Sequence, residues 1–159
     1  MIELRPAAGS DEEALAAIDR ATWSSLSSPA PPPGKGWTFF DDRLRPEDVV
    51  VALDEGEVAG YVRLQPVSPL ESTSHVLQVN GIAVDPARQR RGVGRALVDA
   101  AIAEARRRGV RRLTLRVLGA NEGAKQLYES AGFVVEGVLR GQFLLDGVYV
   151  DDVFMALEL

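Results

Sequence analysis

Apolar and polar positions alternate along this chain in two different periods, which divide it into short strands and amphipathic helices. Ile2 to Pro6 reads as a strand. Ser10-Asp11-Glu12-Glu13 then has the form of a capping box, and Leu15, Ile18 and Thr22 give the helix after it a buried stripe. Val49 to Leu53 and Val58 to Leu64 are β-branched runs around Asp54-Glu55-Gly56-Glu57, the pattern of a hairpin. His75 to Val84 is a further strand, closed by Asp85-Pro86. Gly81 inside it predicts a bulge or the close approach of another backbone.

From Gly92 the period becomes helical. Gly94, Leu97, Val98, Ala101, Ile102 and Ala105 share one face, and Gly109 supplies the stop. Leu113, Leu115 and Val117 alternate as a strand. Asn121 is placed to cap a short helix with the stripe Ala124, Leu127, Tyr128 and Ala131, stopped by Gly132. Phe133 to Leu159 reads as strands folded at Asp146-Gly147. Residues 24–36, rich in Ser, Pro and Gly, can be neither helix nor central strand, and Trp37, Phe39 and Phe40 follow directly. The order predicts one α/β domain over residues 1–159, with a mixed central sheet flanked by helices and a β-α-β unit in its middle.

Composition narrows the chemistry. The chain has 159 residues, 46% hydrophobic and 26% charged, with a net charge of -5, so a folded core is expected. With no Cys, disulfides, thiolate metal sites and a Cys nucleophile are all excluded, and with His75 the one histidine no metal is expected. No apolar run approaches the ~20 residues that span a bilayer, and the first residues lack a secretory profile, so a cytoplasmic protein without a membrane partner is expected. The acidic balance also argues against nucleic acid as a partner.

One segment departs from that balance. Gln89-Arg90-Arg91-Gly92-Val93-Gly94 follows a strand and opens a helix, so its backbone N–H groups point out of a helix N-terminus, where the dipole favours an anion. Glycines at 92 and 94 remove side chains that would hold a phosphate away. Arg88, Arg90, Arg91 and Arg95 crowd positive charge there, with no carboxylate from Pro86 to Arg95. That suits a diphosphate. The competing reading is tight strand–helix packing with a solvated cluster of arginines. A Walker loop would need Gly-Lys-Ser/Thr, and a Rossmann fingerprint a third Gly where Leu97 stands.

Val79 to Phe133 resembles the core of the GNAT family of N-acetyltransferases. The resemblance rests on Ile82-Ala83-Val84-Asp85-Pro86, Gln89-x-x-Gly92-x-Gly94, Asn121, and Leu127-Tyr128 before Ala131-Gly132-Phe133. It implies a mostly antiparallel sheet in which the strand His75 to Val84 runs parallel to the strand of Leu113, Leu115 and Val117 and splays from it at a bulge. It also implies acetyl-CoA as co-substrate, its diphosphate on the amides of Gln89, Arg90, Arg91, Gly92, Val93, Gly94 and Arg95. The pantetheine arm would pair with the strand at Ile82, Ala83 and Val84. Asn121 matches a residue that contacts this arm, although it also serves as an N-cap. Tyr128 matches the acid that protonates the departing thiolate, with a core aromatic as the alternative.

The base and the acceptor are less specified. Gln78 stands where some relatives carry a Glu, which leaves His75, a water chain or no base at all. Trp37, Phe39 and Phe40 would border the acceptor pocket or pack on the core. Asp151 or Asp152 would pair with an ammonium group or face water. The ending from Gly141 to Asp152 resembles branches that acetylate small amines and amino acids. Relatives often dimerise, so the resemblance admits a homodimer. The function expected is direct acetyl transfer to a small primary amine. The rivals are a CoA-binding sensor without turnover and a protein N-terminal or lysine acetyltransferase.

Overall fold

The computed structural model describes residues 1–159. In chain order it contains β1 (Ile2–Pro6), α1 (Glu12–Thr22), β2 (Val49–Asp54), β3 (Glu57–Pro66), β4 (Val76–Val84), α2 (Val93–Arg107), β5 (Arg112–Leu118), α3 (Glu122–Ser130), β6 (Val134–Leu145) and β7 (Val148–Glu158). The strands form one sheet in the order β1-β2-β3-β4-β5-β7-β6. Every neighbouring pair is antiparallel except β4–β5. No helix is long and apolar enough to cross a membrane.

Period-two alternation gives each face of the sheet its own core. Val62, Leu64, Leu77, Val79, Leu113 and Leu115 pack with Leu97, Ala101 and Ala105 of α2 and with Tyr128 of α3. On the other face, Val49, Val51 and Tyr61 pack with Leu15 and Ile18 of α1 and with Phe39 and Leu44 of the long connection. The β2–β3 turn takes left-handed conformations at Glu55 and Gly56, and the β6–β7 turn takes them at Asp146 and Gly147, as tight hairpins require. The N-terminal cap differs from expectation. A short 3-10 turn, Gly9–Asp11, precedes α1, and the N-cap residue is Asp11, whose side chain makes no capping bond to the helix. Its carboxylate accepts from Ala8 N–H at 2.8 Å and pairs with Arg5, so it is already held before the helix begins.

The bulge expected at Gly81 is present and shapes the molecule. Val62 pairs with Ile82 and Leu64 with Val79, so Arg63 faces two residues, Asn80 and Gly81. Gly81 has φ +124°, open to glycine and strained for other residues. Beyond the bulge β4 turns away from β5. The two pair only from Val76 to Val79 against Arg112 to Leu115, whereas β5 continues to Leu118 with β7 alone. A wedge therefore opens between Asn80–Val84 and Arg116–Leu118.

Gly60 holds the other side of β4 in place. A Cβ there would lie 2.6 Å from the Ala83 carbonyl oxygen and 3.1 Å from Leu97 Cδ1. Gly60→Ala must push β4 or α2 away, an overpacking cost of about 1–3 kcal/mol. Calorimetry should show a melting midpoint lowered by roughly 2–10 °C. An unchanged midpoint would mean that β3 and β4 separate freely at this pair.

Candidate active site

The wedge ends at a row of unused donors. After β4, Asp85 closes a 3-10 turn by accepting from Ala87 N–H at 3.0 Å, and its own N–H donates to the Ala59 carbonyl at 2.8 Å. The chain then passes through left-handed conformations at Arg90 (φ 65°) and Gly92 (φ 84°) before α2 starts. None of the N–H groups from Gln89 to Arg95 donates to another residue; the first that does is Ala96, to the Gly92 carbonyl at 3.0 Å. Consecutive donors in a concave turn at the start of a 15-residue helix form an anion cradle.

The two glycines differ in kind. Gly92 is required by its φ. At Gly94 a Cβ would only meet Leu127 at 3.5 Å and Val84 at 3.8 Å, ordinary contacts, so packing does not demand glycine there. The tight-packing explanation therefore fails for Gly94.

The arginines divide their work. Arg88 donates to the Asp54 carbonyl at 3.0 Å and to Glu57 at 2.8 Å, and Arg91 donates to Asp54 Oδ2 at 3.0 Å. Asp54 is buried. These two side chains tether the loop to the β2–β3 hairpin, a role invisible in the local motif. Arg95 reaches Asp99 at 3.0 Å and Ser130 at 3.3 Å across α2 and α3. Arg90 alone has no side-chain partner in the chain and is exposed.

From α3, Tyr128 enters the same core as Val93, and Ile82 and Val84 pack against that core. Its ring meets Phe133 edge-on at 5.9 Å. Its hydroxyl makes no hydrogen bond, yet it is not among the sealed, unpartnered polar atoms. Burial pushes the phenol up to about 12. At the opposite end of α3, Asn121 Oδ1 accepts from Ala124 N–H at 3.2 Å, so its N-cap role is realised. Ile82–Val84, the donor row and Tyr128 thus converge on one face of the wedge.

The other face holds the aromatic loop. The Glu12 carboxylate accepts from Phe39 N–H at 2.5 Å and Phe40 N–H at 2.9 Å, which pins the loop to the start of α1. Phe39 is core, 2% exposed, while Trp37 and Phe40 remain half-buried beside it. Arg63 lies over the rings of Phe39 (4.5 Å) and Tyr61 (5.0 Å), and its Nη2 donates to Asp19 at 2.5 Å. The Tyr61 hydroxyl donates to the same carboxylate, and burial raises its pKa.

Three expected candidates are used or placed elsewhere. Asp152, 2% exposed, takes Arg116 Nε at 3.0 Å, and Asp151 takes Gly141 N–H at 2.9 Å, so neither stands open to an ammonium group. His75 is exposed at the closed end of the β4–β5 pair, where its carbonyl accepts from Arg111 and Arg112. Six residues of strand put it roughly 20 Å from Gly81. Gln78 is half-buried between Gln65 and Thr114.

Comparison with known proteins agrees with this arrangement. The chain is 42% identical over 78 residues to the ribosomal protein bS18 alanine N-acetyltransferase of Escherichia coli K12, a match covering 49% of this chain and 53% of that one. It spans only about half the length of that relative. Among solved structures, the ribosomal-protein-alanine N-acetyltransferase of Brucella melitensis superposes with a TM-score of 0.79 at 26% identity, over 99% of both chains. A phosphinothricin acetyltransferase of Sinorhizobium meliloti, solved with acetyl-CoA, has a TM-score of 0.84 at 21% identity, over 99% of this chain and 88% of its own, and shares the fold. The profile of the acetyltransferase (GNAT) family matches residues 13–133, and with the splayed β4–β5 pair and the donor row it establishes that the chain belongs to the GNAT family.

Proposed function

We propose that the protein transfers the acetyl group of acetyl-CoA directly to the primary amine of a small molecule or amino acid. The observation that carries this reading is the run of unpartnered N–H groups from Gln89 to Arg95 at the mouth of the wedge. A diphosphate satisfies those donors and the helix dipole together. The pantetheine arm runs along the free edge of β4 at Ile82, Ala83 and Val84, its amides pairing as an added strand would. The thioester then lies near the bulge, and the amine approaches from the face of Arg63.

Holding both reactants in line supplies much of the rate, on the order of 7–11 kcal/mol in favourable systems. The amine lone pair forms the C–N bond, and the carbonyl electrons move onto oxygen, where a backbone N–H of β4 near Ile82 receives them. They return as the C–S bond breaks with its pair on sulfur, and the ammonium proton passes to water. Tyr128 supplies a hydrogen bond to the departing sulfur. With a pKa of about 12 it stays protonated throughout the neutral range. A thiol near ~8.5 is the stronger acid, so the phenol stabilises the thiolate as a donor more than by surrendering its proton. His75 is too remote to act as base, so the acceptor arrives neutral or loses its proton through water.

A second reading has one observation in its favour: Gln78 on the central strand cannot accept a proton. In that case the protein binds CoA as a sensor and turns nothing over. A thiol-release assay with acetyl-CoA and a panel of amines separates the two, since the sensor binds CoA and releases no thiol with any acceptor.

Gly94→Glu tests the cradle. A carboxylate at a helix N-terminus suits the dipole, and Glu exceeds Gly in helix propensity, so the melting midpoint should hold or rise. Affinity for CoA should nevertheless fall at least tenfold in calorimetry. Undiminished affinity would remove the diphosphate from this loop.

Tyr128→Phe should lower kcat by about 10²-fold or more while the Kd for CoA stays within twofold. Phenol ionisation should leave kcat untouched until the pH nears 12. The same group affects folding with a definite sign. Its pKa is raised in the folded chain, so its contribution is complete below about pH 10 and is lost as the pH climbs through about 12. Denaturant titrations across that window should show a loss of stability about 2–3 kcal/mol larger in the wild type than in Tyr128→Phe, since buried Tyr61 contributes to both. An activity loss centred near pH 10 would mean that the phenol is solvated in the working enzyme.

A further inference from the structure

We propose that Arg63 is a specificity-determining residue that selects acceptors carrying a carboxylate within a few bonds of the reacting amine. The inference rests on the acetyl-transfer reading and names its substrate class. Three groups fix the guanidinium: the Phe39 ring at 4.5 Å, the Tyr61 ring at 5.0 Å, and the Asp19 carboxylate at 2.5 Å. Asp19 is itself fixed by the Tyr61 hydroxyl and is 12% exposed in its side chain. So rigid a mounting uses only part of the fork. Nη2 is engaged with Asp19, and Nε is sealed from solvent with no partner. Nη1 has no partner either, but it is not sealed.

Nη1 lies beside the bulge that opens the wedge. A Cβ placed on Gly81 would stand 3.6 Å from Arg63 Cδ and 3.7 Å from Nη1, so Nη1 lies against the backbone of the bulge itself. Arg63 pairs with neither residue of the bulge as a single register partner; it sits between Val62–Ile82 and Leu64–Val79. The nearby Asp41 carboxylate, lowered in pKa first by the N–H groups of Arg43 and Leu44 and in part by the Arg63 charge, is engaged by those backbone donors and makes no ion pair with Arg63. Asn80 donates to Gln65 Oε1 at 2.8 Å, and Gln65 donates to the Arg43 carbonyl at 2.7 Å. Nη1 of a guanidinium held in this way is a charged, accessible donor already in place for an oxygen of a carboxylate. An amine seated at the thioester with its carboxylate on Arg63 has its nitrogen at the bulge. A peptide N-terminus, whose first carbonyl is an amide, offers no charge there.

A structural role for Arg63 alone would alter stability and treat all acceptors alike, so the readout is a ratio between matched acceptors. L-amino acids and their C-terminal amides are compared by thiol-release kinetics and by calorimetric titration into CoA-saturated protein. The acid of each pair should show a KM about tenfold to a hundredfold below its amide, the range of one charge-assisted hydrogen bond. Arg63→Met should erase that ratio with the Kd for CoA unchanged. Arg63→Lys, which keeps the charge and loses the fork, should retain part of it. If Arg63→Met does not fold, the lysine variant and the wild-type ratio decide. Equal use of acids and amides by the wild type overturns the inference and leaves acetyl transfer standing. If no amine is turned over, acetyl transfer falls, and calorimetry still decides the rest: selective binding of acids supports the role of Arg63, and no binding of acids removes it.

Discussion

The parting of β4 from β5 is the constraint on which the rest of this protein depends. A parallel pair that continued past Val79 would satisfy the backbone of Asn80–Val84 and close the sheet. The extra residue opposite Arg63 prevents this by turning β4 outward, and Gly81 makes the turn without strain. β3 still holds β4 on its other edge through Val62–Ile82 and Gly60–Val84, so the strand diverges without detaching. Gly60 matters for the same reason, since only a residue without Cβ lets β3 follow β4 that closely while α2 packs behind it. The outcome is a slot with a polar backbone on one wall and a helix N-terminus at its mouth.

The sheet separates two tasks. One face carries the larger core, α2 and α3, and there the donor row, Ile82–Val84 and Tyr128 converge. The other carries the smaller core, α1 and the aromatic loop, with Arg63 at the bulge. In the proposed reaction the coenzyme occupies the first face and the amine the second, and the acetyl carbon sits in the wedge that joins them. A mixed sheet with a defect is well suited to this, because a regular sheet has no passage between its faces. The same division explains why the aromatic residues after the Pro-rich stretch do not form one wall. Phe39 supports Arg63 and fills the core, and only Trp37 and Phe40 retain exposed surface.

Much of this was legible from the sequence, and the reason is local. Strand periods, the Asp146-Gly147 turn, the bulge at Gly81 and the helix opening at Gly92 are each written in a few neighbouring residues. The start of α1 was misread because Asp11 is held by Arg5 and Ala8 across the β1 connection, which no pattern of adjacent residues reports. The acceptor side was the least legible. Asp19, Tyr61 and Arg63 are brought together from α1 and β3 over more than forty positions, and Glu12 reaches Phe39 over nearly thirty. Asp151 and Asp152 looked available because their partners, Gly141 and Arg116, lie on other strands. Periodicity registers burial, whereas a side chain's partner is a property of the tertiary fold.

The arginines show how charge can serve a binding loop without being consumed by its ligand. A diphosphate held by side chains alone would require long, mobile groups to be ordered at each binding event, a cost of up to ~2 kcal/mol per arginine. Here Arg88 and Arg91 are already ordered against Asp54 and Glu57 and fix the loop in the shape that aims its N–H groups outward. Asp54 is buried, so its charge is compensated by Arg91 rather than by water, and removing the Arg91 side chain would leave that carboxylate uncompensated. In the proposed complex the backbone does the recognition, and its donors lose little freedom when the diphosphate arrives. Arg63 follows the same rule on the opposite face. Aromatic rings and a carboxylate immobilise the guanidinium in advance, and the proposed contact with a substrate falls to the Nη1 left over. At both proposed anion sites an acidic residue that would seem to oppose binding instead prepares it, by holding the cation still.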